Sequence, residues 1–193
     1  MERNREIQQT IEADRLPVLP FELEIAQRAL ARHIQEHDKL TVQQFEAMNQ
    51  TSETWHDNAA ADAVTQASQN LAKSAKETNR ILNNSDVFEY TANPEDGVTL
   101  GSFVTVRYGA SDEPDYFYLT GTTRLLTDEI QAALPPTEDI NVITVFSPVG
   151  KALLGTKVGE STKFTTPADR VIDLHVDAIE QIEVTLPEAQ IVG

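Results

Sequence analysis

Two long apolar stripes, uninterrupted by proline or glycine, constrain this chain more than anything else in it. After Leu16-Pro17-Val18-Leu19-Pro20, the positions Leu23, Ala26, Leu30, Ile34, His37, Thr41, Phe45 and Met48 follow in steps of three and four. A second set runs through Ala60, Val64, Ala67, Leu71, Ala75, Thr78 and Ile81. Both repeat about every 3.5 residues, the seam spacing of packed helices. Between them lies Asn49-Gln50-Thr51-Ser52-Glu53-Thr54-Trp55-His56-Asp57, a polar stretch of turn and cap formers. Two amphipathic helices with one short connection fold back as an antiparallel hairpin. Arms of roughly 25–30 residues, at about 1.5 Å per residue, make a coiled-coil rod on the order of 40 Å long. A two-helix rod has little core of its own, which is the build of an element that reaches toward a partner.

Near Asn83-Asn84-Ser85 the period changes, and all eight glycines follow, from Gly97 onward. Alternating or β-branched runs at Val98–Val106, Tyr116–Thr120, Asn141–Phe146, Ser161–Thr166 and Val171–Ile182 predict strands. Turn signals such as Glu95-Asp96-Gly97 and Val158-Gly159-Glu160 separate them. One short helix is expected in Val149–Gly155, where Ser147 supplies a cap and Pro148 suits the first turn. The expected fold class is therefore α+β in two domains. Residues 1–84 would form the helical hairpin, behind an N-terminal extension of about 16 residues. Residues 85–193 would form a small antiparallel sheet with one short helix, its core including Phe103, Leu119, Val145, Leu153 and Ile179.

The net charge of −16 argues against a protein that grips nucleic acid by its phosphates, because that mode needs a basic footprint. Basic protein surfaces and cations remain natural partners. Without cysteine there are no disulfides or thiolate metal sites. The charged start Met1-Glu2-Arg3-Asn4-Arg5-Glu6 does not read as a secretory signal, and no run approaches the length of a membrane span. A cytoplasmic protein is expected, with no membrane partner.

Several segments of the second half resemble the C-terminal domain of the Gre family of transcription elongation and transcript-cleavage factors. Val98–Val106 looks like that domain's first strand. Phe146-Ser147-Pro148-Val149-Gly150-Lys151-Ala152-Leu153-Leu154-Gly155-Thr156-Lys157-Val158-Gly159-Glu160 resembles its signature, and Val176–Ile182 its closing strand. In the hairpin, Asp57-Asn58-Ala59-Ala60-Ala61-Asp62-Ala63 is similar to the family's start of helix two. The resemblance implies an FKBP-like second domain that sits on bacterial RNA polymerase at the secondary channel, with Ser147 and Pro148 near the polymerase-facing turn. It implies a hairpin whose tip acids help hold a magnesium ion in the polymerase active site, so that the polymerase cleaves its own backtracked RNA. Asp57 is then the tip ligand and Glu53 its assistant, and Trp55 a contact with the partner. No cofactor belongs to the chain itself, since Mg2+ is shared with the polymerase. The nascent RNA 3′ end is met only indirectly, and the factor is an accessory rather than an enzyme. The sequence departs from the family pattern at Thr54, where that pattern has an Asp, and at Asp57, which replaces a Glu. These departures leave open a related role, occupying the channel and modulating the polymerase without promoting cleavage.

Three other motifs carry less. His33-Ile34-Gln35-Glu36-His37 matches an inverted zinc-protease pattern without a third ligand, and a solvated helix face is the simpler reading. Gly150–Lys157 approaches a phosphate loop, but the order of lysine and hydroxyl is wrong. Tyr116-Phe117-Tyr118 is too little for a prolyl-isomerase pocket, because alternation lets at most two of these rings share a face.

Overall fold

The computed structural model describes residues 2–50, 59–89, 94–109, 111, 113–121, 126–135, 139–182 and 184–186. They fall into two compact units, one of residues 1–25 with 84–193 and one of residues 26–83.

The larger unit is built on a five-stranded sheet of β3 (Ser102–Tyr108), β4 (Pro114–Thr120), β5 (Ile140–Thr144), β6 (Ser161–Thr165) and β7 (Val171–Gln181), in the order β5-β4-β3-β7-β6. All five expected strands form. The sheet is mixed rather than antiparallel, because β5 runs parallel to β4. A parallel neighbour requires a crossover, and a helix absent from the expected pattern, α4 (Thr127–Ala133), lies in that connection with Ile130 and Ala133 buried. The short helix α5 (Pro148–Leu153) forms where the Ser-Pro cap predicts it.

One sheet face packs Val104, Val106, Phe117, Leu119, Leu174, Val176 and Ile179 with Val145 and Leu153 into a buried cluster. Val176 and Ile179 are three apart, yet both are buried, which strict alternation forbids. The register explains it: Val106 pairs with Val176 and Thr105 with Ala178, so Asp177 is an extra residue bulged out of β7. All five residues expected in the core are buried.

The division between units differs from the expected 1–84 and 85–193. The N-terminal extension folds with the sheet, because α1 (Glu2–Glu12) inserts Ile7 into the same cluster with Ile11 packed beside it. Asn4 Nδ2 donates to the Val98 carbonyl at 3.1 Å, and Arg3 donates to the Glu89 carbonyl. Next, β1 (Leu16–Val18) pairs in parallel with β2 (Ser85–Val87), matching Leu16 with Ser85. Arg15 holds Asp86 at 2.6 Å and donates to the Ser85 carbonyl at 2.9 Å.

The first turn of α2 (Pro20–Gln50) belongs to this unit. Glu22, wholly buried, accepts the backbone N–H of Leu19 at 2.6 Å on one oxygen and that of Gly121 at 3.1 Å on the other. A carboxylate reaching back to the first free donor of a helix is half of a capping box. Here it also ties α2 to the end of β4. Gly121 makes the approach possible, because a Cβ there would sit 1.3 Å from the Pro17 carbonyl oxygen.

The second unit holds the rest of α2 and α3 (Ala59–Asn83). Glu36, Lys39, Leu40 and Gln43 face Ala67, Asn70, Leu71 and Ser74 across an open cleft of about 470 Å³. His33, Ile34 and His37 line a smaller cavity of about 140 Å³ with Leu71, Ala72 and Ala75. Residue numbers that rise along one helix meet falling numbers on the other, so the pair is an antiparallel hairpin. On α3, Thr78 and Ile81 are buried and Val64, Leu71 and Ala75 partly so, as the stripe predicts. On α2 the expected stripe is displaced beyond its first turns. Ala26 is buried as the stripe predicts, but Ile34 and Phe45 are 56% and 67% exposed, while Ala29, His33 and Leu40 take the covered side. Neighbouring apolar pairs such as Ala29-Leu30 fit two stripes one residue apart, and packing selected the other one.

Candidate functional site

Ser147 and Pro148, expected near a partner-facing turn, sit at the start of α5. Ser147 Oγ accepts the Gly150 N–H at 2.9 Å and donates to the Thr144 carbonyl at 2.8 Å, so the side chain both caps the helix and ties it to the end of β5. Pro148 occupies the first helical turn and is exposed, as is Lys151 one turn on. Gly150 is needed where it stands, because a Cβ there would meet the Thr144 oxygen at 2.0 Å. Leu153 is buried beneath, and Gly155, at φ 87°, turns the chain so that its N–H reaches the Val98 carbonyl at 2.8 Å. The Lys157 N–H then bonds the Glu160 carboxylate at 2.9 Å, closing a turn before β6. The whole motif is a self-satisfied platform that presents Pro148 and Lys151 outward.

The same bonds dispose of a phosphate loop. A phosphate needs free backbone donors, but Gly150 gives its N–H to Ser147, Lys151 to the Ser147 carbonyl, Leu154 to Gly150 and Gly155 to Val98. The aromatic trio is likewise consumed in packing. Tyr116 stacks on Phe103 at 5.8 Å, Phe117 meets Tyr108 edge-on at 6.4 Å, and Tyr118 lies 6.3 Å from Phe21. Phe117 and Tyr118 are buried, in keeping with the alternation that argued against an isomerase pocket.

Glu53, Trp55 and Asp57 lie outside the described residues. The described arms end at Gln50 and resume at Ala59, so all three fall in the eight-residue connection 51–58 between antiparallel helices. Among the described residues no group of three His, Cys, Asp or Glu could hold a metal. His33 and His37 share a cavity wall, but the rest of that wall is apolar apart from backbone.

One surface cluster left no trace in the sequence pattern. The bulge at Asp177 aims its carboxylate at Arg107, which donates from Nε and from a terminal nitrogen, both at 2.6 Å. These bonds hold the Asp177 carboxyl below the usual carboxylate range, against a smaller opposing effect of desolvation. His175 Nε2 stands 3.6 Å from the same carboxylate, and its Nδ1 is 3.0 Å from Ser161 Oγ. Spacing could not announce this group, since its members meet only through strand register.

Charge is divided unevenly. Residues 26–83 hold six Lys and Arg against seven Asp and Glu, a net of −1, so the other unit carries −15 of the chain's −16.

Residues 93–181 match the family model described as transcription elongation factor, GreA/GreB, C-term. No curated protein sequence matches the chain. Among solved structures, the chain is similar to GreA factor homolog 1 (Gfh1) of Thermus thermophilus, with 21% identity, 86% of this chain and 99% of that one covered, and a TM-score of 0.39. It is similar to Gfh1 of Thermus aquaticus at 19% identity, covering 86% and 98% with a TM-score of 0.33. For GreA/GreB of Nitrosomonas europaea the identity is 21%, the coverage 63% and 90%, and the TM-score 0.32. The matched span takes in the sheet, the Ser147–Glu160 platform and β7, so residues 93–181 are similar to the C-terminal domain of the GreA/GreB transcription elongation factors.

Proposed function

We propose that this protein binds bacterial RNA polymerase at its secondary channel and stimulates cleavage of backtracked RNA by the polymerase active site. The reading rests above all on one observation: the GreA/GreB-like domain over residues 93–181 is joined to an antiparallel two-helix hairpin whose connection, 51–58, contains Glu53 and Asp57. The exposed Pro148 and Lys151, on a platform held by Ser147, serve as the docking turn. The hairpin then carries Asp57 and Glu53 to the polymerase, where the carboxylates help hold the Mg2+ that activates water. Carboxylate oxygens suit a hard cation, and a two-metal site needs such ligands. The chain alone hydrolyses nothing and has no metal of its own. It works in the cytoplasm beside the polymerase, and meets the RNA 3′ end only through it.

A second reading is favoured by Thr54, which stands where the family pattern has an acid. Without that ligand the hairpin would occupy the channel and modulate the enzyme without cleavage, since a misplacement of an ångström is costly in catalysis.

The test is a stalled, backtracked polymerase with labelled RNA, given wild-type protein, Asp57→Asn or Glu53→Gln. Shortening with wild type and its loss in both variants supports cleavage stimulation. Binding without shortening, even for wild type, selects the second reading. Absence of binding refutes both.

A further inference from the structure

We propose that Asn4, on the N-terminal helix α1, is a positioning residue for docking: it locks the turn behind α5, so that Pro148 and Lys151 are presented in one orientation. The inference rests on the docking reading given above, and adds to it a part of the chain outside the matched residues 93–181. The helix α5 is held at both ends. At its start, Ser147 bonds the Gly150 N–H and the Thr144 carbonyl. Behind its end, the Gly155 N–H reaches the Val98 carbonyl at 2.8 Å, and the Val98 N–H returns to the Thr156 carbonyl at 2.9 Å. Gly97, at φ 78°, lies against the same turn, since a Cβ there would stand 2.6 Å from the Gly155 oxygen. The orientation of α5 therefore follows the position of residues 97 and 98.

A hold on those two residues comes from α1. Asn4 Nδ2 donates to the Val98 carbonyl at 3.1 Å, so that oxygen accepts two bonds, one from α1 and one from Gly155. A Cβ at Gly155 would lie 3.7 Å from the same Nδ2, which places the amide beside the turn itself. Ile7 shares the buried cluster with Val98, Val145 and Leu153, and Ile11, Val149 and Leu154 pack against it. That apolar contact gives adhesion without direction. Asn4 gives the directional bond. Its Oδ1 is buried and, among the described residues, accepts no hydrogen bond. A buried acceptor without a partner is unfavourable, so an apolar side chain of the same size would serve stability at least as well. The asparagine is explained by what its N–H aims rather than by what it adds to the fold.

That contrast separates positioning from simple support. Asn4→Leu keeps the volume, removes the donor and the unpartnered acceptor together, and leaves the Val98 carbonyl its bond from Gly155. Its urea midpoint should equal or exceed that of wild type. Native-state hydrogen exchange read by NMR should nonetheless show the Val98 and Gly155 amides exchanging about 3–10-fold faster, the worth of one hydrogen bond, with the β3 and β7 amides unchanged. Titration of labelled full chain with RNA polymerase should give binding weaker by a similar factor, about 3–10-fold. Where wild type shortens backtracked RNA, the rate at saturating Asn4→Leu should match it, because the hairpin connection is untouched. Asn4→Asp, equal in size but without the donor, should also dock more weakly. Ile130→Val, at a buried position outside the cluster that holds Ile7, should lower the urea midpoint yet exchange at Val98 and Gly155, and dock, as wild type does. An Asn4→Leu protein that docks as tightly as wild type, weakens docking only together with a lowered urea midpoint, or is slower at saturation would overturn the proposal while leaving the docking reading intact. Wild type that does not bind the polymerase would end that reading and this inference with it.

Discussion

Removal of the Glu22 side chain should damage the fold out of proportion to its size. It is wholly buried, and its two oxygens take the N–H groups of Leu19 at 2.6 Å and Gly121 at 3.1 Å. Replacement by alanine strands two buried donors, each at a cost of about 1–3 kcal/mol, and leaves a void where the side chain was. Relief from burying a charge returns part of that. The expected loss for Glu22→Ala is about 3–5 kcal/mol, a large fraction of a typical domain's stability. Glu22→Gln retains one acceptor but turns an amide N–H toward a second donor, so about 2 kcal/mol should be lost. Urea unfolding followed by the near-ultraviolet circular dichroism of the tyrosines reads this unit directly, because all four tyrosines lie within residues 84–193 and the one tryptophan does not. The order wild type, Gln, Ala is the signature of a two-acceptor clamp. A Glu22→Ala protein within about 1 kcal/mol of wild type would refute the reasoning, since a buried donor pair cannot be orphaned so cheaply.

Gly121→Ala should fail to fold or lose well over 3 kcal/mol by the same assay, because its Cβ would lie 1.3 Å from the Pro17 oxygen and backbone must move. Ser147→Ala should cost about 0.5–2 kcal/mol through the lost cap on α5, with Ser147→Thr or Ser147→Asp recovering much of it in the same denaturation series. Ile7→Ala should cost about 2–5 kcal/mol, a result that a dispensable N-terminal extension would not give. The Asp177 carboxyl titrates below its unfolded value because of Arg107, so its contribution is present above about pH 4 and disappears as pH falls through the lower folded value. Wild type should therefore lose more stability than Asp177→Asn between about pH 5 and pH 2, measured by thermal melts across that range.

Legibility followed the range of the interaction concerned. Ser147, Pro148, Gly150 and Gly155 announce α5 and its turn because a cap, a fixed φ and a missing Cβ act within a few residues. The strand runs were readable for the same reason, as was the α3 stripe. α1 went unread because only Ile7 and Ile11 mark it among charged neighbours, and α4 because the chain signals no parallel pairing. Of the site, the family signature was visible in full. The Arg107–Asp177 pair was not, because a bulge in register between distant strands creates it.

From its order of residues alone, this chain commits to two uninterrupted helices, a polar connection bearing Glu53 and Asp57, and five strands punctuated by glycine. Only tertiary packing settled which of two adjacent stripes α2 would cover, that β5 would run parallel to β4, and that the first 25 residues would join the sheet. Periodicity and turn chemistry are properties of a few consecutive residues. Which face is hidden, and which carboxylate is desolvated, depends on what the rest of the chain brings against it.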